Sequence, residues 1–313
     1  MFYEENKLSS NILIHMENVI ALFICLIGLG IVLFGRLIYR TAYPKRLREF
    51  PSGAGEAKHP KELHWPYEDF EVPGHEGTKI RGWIVPAVGT AKAVLLLLHG
   101  HRKNKTQMLG RARFLRPAGY ALVFVDHRHH GESDDSPFGL GYFGRLDLAE
   151  VIKHLQQKDE LKDLPICALG LSLGATTAIA TALDGAGLSA VIADSPTSDQ
   201  AKTLAEYGKR LYFFPETITM AGLKFAEWWW QMNYEEMNLE KRMSGNTVPI
   251  LIIHGEKDQR VPIHHAQKLA ATKAPVPLRL ETFAEANHVE AFTKSRKKYE
   301  RIILDFLNET LST

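Results

Sequence analysis

Three side chains have the types needed for nucleophilic acyl chemistry: Ser172, Asp258 and His288. A serine hydroxyl attacks a carbonyl only when it is exposed, rigidly held and beside a base, and the base needs an acid to orient it. Ser172 sits in Gly170-Leu171-Ser172-Leu173-Gly174, between an apolar run at Ile166–Leu169 and a small-residue stretch at Leu173–Leu183. This Gly-X-Ser-X-Gly pattern reads as a tight strand-to-helix turn that lifts the serine out of the fold. Such a turn crowds the backbone two residues either side of the serine, where glycine has no side chain to clash. The pattern alone is weak. Roughly one chain in ten of this length would contain it by chance, and a serine there could simply cap the helix.

Context supplies the rest. Fourteen histidines make a candidate base easy to find, so position matters more than presence. His288, in Glu285-Ala286-Asn287-His288, follows the apolar strand Leu278–Phe283 and precedes the last helical pattern. Asp258, in His254-Gly255-Glu256-Lys257-Asp258, follows the strand Pro249–Ile253, with Glu256 as the competing acid. Each of the three residues thus falls in a loop after its own strand. For the oxyanion, two backbone amides are expected: that of Leu173, at the positive end of a helix, and that of His101, in the His99-Gly100-His101 loop after Ala93–Leu98. Asp126, His127, His129 and His130 have metal-ligand chemistry. They are consecutive or nearly so on one short loop and point in different directions, so no metal or organic cofactor is expected.

These residues need a scaffold. Tyr67–Pro73 and Lys79–Val85 alternate around Gly74-His75-Glu76-Gly77, a hairpin signal. Ala93–Leu98, Ala121–Val125, Ile166–Leu169, Ala190–Ala193 and Pro249–Ile253 are continuous apolar runs, as expected of strands buried on both faces. Helical patterns lie between them at Thr106–Arg116, Arg145–Gln156, Leu173–Leu183, His264–Thr272 and Val289–Leu307. In Arg145–Gln156 the apolar face is Leu146, Ala149, Ile152 and Leu155. The expected fold is α/β: a mostly parallel sheet of about eight strands with helices on both faces.

Segment 196–247 breaks the alternation. It has no strand signal and is rich in aromatics, including Phe225, Trp228, Trp229 and Trp230. It reads as a helical cap over the carboxyl edge of the sheet, where such folds bind ligands. Three consecutive tryptophans cannot share one helix face, so inward packing and contact with substrate or lipid both stay open.

Ahead of the fold, residues 18–35 carry no charge. Eighteen residues at 1.5 Å each span about 27 Å, close to the hydrocarbon thickness of a bilayer. The stretch has no polar stripe and a poor cleavage site, so it reads as an uncleaved transmembrane anchor over 18–39 after a tail at 1–17. Arg36, Arg40, Lys45, Arg46 and Arg48 follow it and only Lys7 precedes it, which puts the domain on the cytoplasmic side. Residues 40–60 read as a basic flank and linker, and 61–313 as the main domain. A net charge of +2 implies no nucleic-acid partner, and two cysteines give no disulfide framework.

The blocks LLLLHGHRKNK, FVDHRHHGES, ICALGLSLGAT, DSPTSD, ILIIHGEKDQRVP and EANHVEAF resemble the α/β-hydrolase superfamily, above all its membrane-anchored bacterial esterase-like or serine aminopeptidase-like members. In Asp126-X-Arg128-X-His130-Gly131-X-Ser133, His129 stands where a glycine is usual. The resemblance covers roughly residues 60–308. It implies a Ser172–His288–Asp258 triad working through an acyl-enzyme, and the aromatic cap and the anchor favour apolar or lipid-like acyl esters or thioesters as substrates. A peptidase of the aminopeptidase-like kind would need an acid in the cap to bind a free amine, and Glu206, Glu216, Glu227, Glu235 and Glu236 are available. A non-catalytic, membrane-tethered binding protein on the same fold is the reading from another class.

Overall fold

The computed structural model describes residues 57–212, 215–276 and 278–312, with 15–25, 28–30, 32–33, 35–36, 39 and 43 before them. Met1–Thr41 and Ala42–Thr313 are separate compact units. In the first, residues 15–25 are helical with exposed side chains. Among the described residues no helix is long and apolar enough to cross a membrane. The expected anchor at 18–39 includes residues 26, 27, 31, 34, 37 and 38, which lie outside the described ones, as does most of the basic flank.

The second unit is built on eight strands: β1 Glu68–Pro73, β2 Lys79–Val85, β3 Ala93–Leu98, β4 Tyr120–Val125, β5 Ile166–Leu171, β6 Ala190–Asp194, β7 Ile250–Gly255 and β8 Leu278–Phe283. Their order is β1-β2-β4-β3-β5-β6-β7-β8. β1 and β2 pair antiparallel, as do β2 and β4, and every later pair is parallel. Strands β3 to β7 are buried along their whole length, which is why they read as unbroken apolar runs. The outer strands β1 and β8 are only partly covered and keep charged residues. The chain winds outward from β3 to β4, then crosses back past β3 to β5. The carboxyl ends of β3 and β5 therefore bound the crevice where the winding reverses, the usual ligand position in open α/β sheets.

Helices cover both faces. The longer ones are α1 Tyr142–Leu155, α2 Leu173–Leu183, α3 Gln200–Tyr212, α4 Glu216–Trp230, α5 His264–Ala271 and α6 Arg296–Leu311. α1, α2 and α5 pack on one face of the sheet, and α6 with the short turn Leu109–Ala112 on the other.

Several expected elements differ. The helix at Thr106–Arg116 is a 3-10 turn, Lys105–Met108, followed by the single turn Leu109–Ala112. Asn104 caps that 3-10 turn through Thr106 N–H, and Asp126 takes both the backbone and the side-chain nitrogen of Lys105. The buried face of α1 is Leu148, Val151, Ile152 and Leu155, whereas Leu146 and Ala149 are half-buried. Ion pairs from Arg145 and to Asp147 bury a second side of this helix, so a single-stripe reading misplaces the face. The final helix breaks at Ser295 into Ala291–Lys294 and α6. His59 packs on Tyr67 and Trp83, so the packed domain already includes residues assigned to the linker. Segment 196–247 is helical, with α3, α4 and Leu239–Arg242, and one isolated bridge joins Asp199 to Asn238. Residues 213 and 214 lie outside the described residues.

Candidate active site

Ser172 occupies the turn between β5 and α2 with φ 53° and ψ −111°, a region that side chains other than glycine's rarely adopt. Neighbouring backbone enforces this turn. A Cβ on Gly170 would lie 2.3 Å from the Gly174 carbonyl carbon, and one on Gly174 would lie 2.4 Å from the Leu98 oxygen. Both glycines are therefore required by close approach. The Ser172 N–H donates to the Asp194 carbonyl at 2.7 Å, tying the turn to the end of β6.

The loops after β7 and β8 bring the other two residues to it. His288 Nε2 lies 2.8 Å from Ser172 Oγ, and His288 Nδ1 lies 2.6 Å from Asp258 Oδ2. The other carboxylate oxygen, Oδ1, accepts the N–H groups of Arg260 at 2.8 Å and Val261 at 2.9 Å. Burial alone would raise the Asp258 carboxyl, but the hydrogen bond and charge of His288, then the Val261 N–H, outweigh it and hold the group below its ordinary value. An ionised carboxylate only accepts, so Nδ1 carries the proton and Nε2 offers its lone pair to the serine. The competing acid, Glu256, instead accepts from Thr282 Oγ1 at 2.7 Å and stays exposed.

A corner not expected from the sequence holds this geometry. Ser195 Oγ accepts the N–H of Val289 at 3.2 Å and donates to the buried Asp194 carboxylate at 3.0 Å. Val289 sits at φ 62°, unusual for a β-branched residue, and its carbonyl accepts from Arg111 at 2.9 Å. The residue after His288 is thus clamped from two sides. Asp194-Ser195 holds Ser172 through a carbonyl and the residue after His288 through a hydroxyl. The DSPTSD block carried this signal, but its meaning depends on a contact 94 residues away.

The histidine-rich blocks are structural. His99 Nε2 accepts the His127 N–H at 3.1 Å and its Nδ1 lies 2.8 Å from the Gly100 carbonyl, so the ring is neutral. Burial, then the neighbouring His130, pushes His99 well below its ordinary value. His130 Nε2 accepts the Arg102 N–H at 3.1 Å, which fixes the loop that carries His101. His129, at φ 59°, occupies a left-handed position, the physical reason a glycine would suit it. Among the described residues, one cluster has the donors of a metal site: Glu206, His264 and His265, with ligand atoms within 4.8 Å of one another. None of the three borders Ser172.

Ser172 and His288 open into a cavity of about 660 Å³. Leu140, Leu173, Leu204, Tyr207, Val261 and Val289 form its apolar wall. His101 and Leu173 both border it, and neither backbone amide donates to another described residue. The five cap glutamates are elsewhere. Glu206 lies 3.9 Å from His265, Glu216, Glu227 and Glu235 line a separate cavity under α4, and Glu236 pairs with Arg145.

A mostly parallel eight-stranded sheet, with Ser172 on a strained turn after a central strand and Asp258 and His288 in the loops after β7 and β8, is the α/β-hydrolase fold. Within that class the chain belongs to the prolyl oligopeptidase family, whose sequence model matches residues 138–313 and so includes Ser172, Asp258 and His288. Uncharacterized protein YfhR of Escherichia coli O157:H7 is 25% identical over 255 residues, 78% of this chain and 83% of that one. Lysophosphatidylserine lipase ABHD12 of Mus musculus is 28% identical over 210 residues, 62% of this chain and 48% of that one. Among solved structures, the Pyrococcus furiosus esterase Pf2001 superposes with a TM-score of 0.69 at 24% identity, over 87% of this chain and 99% of that one. That last likeness concerns the fold.

Proposed function

We propose that this hydrolase cleaves carboxylic ester or thioester bonds of apolar acyl substrates through an acyl-enzyme on Ser172. The observation that carries the reading is the unbroken chain from Ser172 Oγ through His288 to Asp258 at the mouth of a cavity with an apolar wall. Ser172 Oγ attacks the carbonyl carbon and its proton passes to His288 Nε2. The oxyanion is held by the Leu173 and His101 amides and the positive end of α2. His288 then protonates the departing alcohol or thiol. Water, deprotonated by the same nitrogen, attacks the acyl-enzyme and releases the acid. Asp258 stays ionised throughout and stabilises the imidazolium.

A serine aminopeptidase-like peptidase is the second reading, favoured by the description of the family. None of the cap glutamates lines the Ser172 cavity, which weighs against it, because a free amine would find no acid among the described lining residues. A membrane setting fits the ester reading. The uncharged stretch 18–35 supports an anchor, and Trp228 and Trp229, exposed at 66% and 61%, give α4 an apolar outer face. The basic residues after the stretch favour the cytoplasmic side.

The test is a panel of p-nitrophenyl esters of graded acyl length beside aminoacyl p-nitroanilides with free amines. Turnover of the esters and none of the anilides is expected. Turnover of the anilides alone would replace this reading by the peptidase one.

A further inference from the structure

A second imidazole stands behind Asp258. His254 is the penultimate residue of β7 and is fully buried. The described lining of the Ser172 cavity does not include it, so it is out of reach of a substrate held there. Its Nε2 lies 2.8 Å from the Val261 carbonyl oxygen and 3.5 Å from Asp258 Oδ2. A carbonyl oxygen only accepts, so Nε2 carries the proton and donates it. Burial holds the ring below its ordinary value; the bond to Val261, then the charges of Asp258 and Asp194, oppose this, and His288 adds to it. The ring is therefore neutral, with its lone pair on Nδ1. That nitrogen is buried and has no hydrogen-bond partner among the described residues. An imidazole that leaves one nitrogen unsatisfied is a poor choice for stability alone.

Its placement suits another task. Val261 donates its N–H to Asp258 Oδ1 at 2.9 Å and offers its carbonyl to His254. The loop that carries Asp258 is thus tied at Val261 to the carboxylate on one side and to β7 on the other. The 3.5 Å approach to Oδ2 is too long for a hydrogen bond, but it seats the imidazole against the oxygen that faces His288 Nδ1 at 2.6 Å. With Oδ1 held by two N–H groups and Oδ2 backed by a ring, the carboxylate has little room to turn.

We propose that His254 is a positioning residue for Asp258: from the end of β7 it anchors Val261 and backs Oδ2, so that the carboxylate stays aimed at His288. This rests on the serine-hydrolase reading above and extends it to a side chain that never meets the substrate.

Two substitutions in the full chain separate reach from burial. The amide nitrogen of His254→Gln reaches the place of Nε2, whereas the shorter amide of His254→Asn stops near that of Nδ1; both are polar and neutral. With a p-nitrophenyl ester, His254→Asn is expected to lower kcat about tenfold while KM stays within about twofold of the parent. His254→Gln is expected to recover most of kcat. Rates are taken per folded molecule, so a loss of folded protein does not mimic the effect. Histidine-ring NMR on the parent gives a second readout. The His254 signal, assigned by its absence from His254→Gln, should show a single protonated nitrogen, Nε2, from pH 5 to pH 8. If His254→Asn does not fold, that signal decides alone. An asparagine variant as fast as the parent, an equal loss of kcat in both variants, or a parent ring protonated on Nδ1 overturns the positioning role and leaves the ester reading standing. No turnover of any ester by the parent overturns the ester reading and this inference with it.

Discussion

The sheet edge and the cap obey different rules. At the sheet edge, Ser172 is fixed by backbone packed too closely for any side chain at its flanking glycines, Asp258 is held by N–H groups of the loop after β7, and the residue after His288 is held by Ser195, just past β6. In the cap, α4 turns Phe225, Trp228 and Trp229 outward, where they pack against one another with ring centroids 5.6–6.0 Å apart. Polar links such as Asn238 to Asp199 at 2.9 Å help fasten the segment. The frame around Ser172, Asp258 and His288 is over-determined. The cap and the cavity loops, free of that constraint, are where substrate choice can vary.

The sharpest way to break this contrast is at the serine. Ser172→Ala should lower ester turnover by at least about 10⁴-fold while leaving the melting temperature near that of the parent. Retained turnover would remove Ser172 from the chemistry. Next comes the corner behind the base. Ser195→Ala leaves the Val289 N–H without its acceptor, and kcat should fall roughly ten- to a hundredfold as His288 loses register. The lost hydrogen bond itself is worth only about 1 kcal/mol of stability. A drop in stability with kcat unchanged would make Ser195 merely structural.

How much of this could be read beforehand follows the same division. The strands β2, β3 and β8 and the helix α2 have the bounds that their sequence patterns imply; for β3, burial on both faces leaves a continuous apolar signal. Ser172, Asp258 and His288 were legible because each stands just after a strand, and parallel strands deliver such loops to one edge. Long-range partners were not legible. Nothing near Arg128 announces its pairing with Asp147 at 2.6 Å, nor anything near Ser195 its hold on Val289. Ser295 breaks a helix without proline or glycine, so composition carries no trace of it. The direction of Trp228 and Trp229 depends on how α4 packs, which local periodicity does not decide.

Acid probes the buried frame as a whole. Burial, followed by the neighbouring His264, pushes His265 down to about 3, and burial holds His99 and His127 well below the ordinary value. The unfolded chain, with histidines near ~6.5, therefore binds more protons between those values. Stability that is complete above that pH is lost as the pH falls. Each extra proton bound corresponds to about 2–4 °C per pH unit for a domain of this size, so thermal unfolding should shift down steadily from pH 7 to pH 5. A constant melting temperature over that range would contradict neutral buried histidines.

The smallest effect belongs to the cap surface. Trp228→Ser with Trp229→Ser should change stability by no more than about 0.5 kcal/mol, because both rings are already in solvent. The same double variant should lower turnover of a vesicle-borne ester severalfold relative to a soluble one. A large stability loss would mean that these rings are core.

The central claim, that Ser172 is an activated nucleophile, is tested most directly by reaction with a fluorophosphonate probe followed by intact-mass and peptide analysis. One adduct per chain, located on Ser172 and absent from Ser172→Ala and His288→Ala, is the predicted result. An adduct elsewhere, or none on a folded chain, would contradict it.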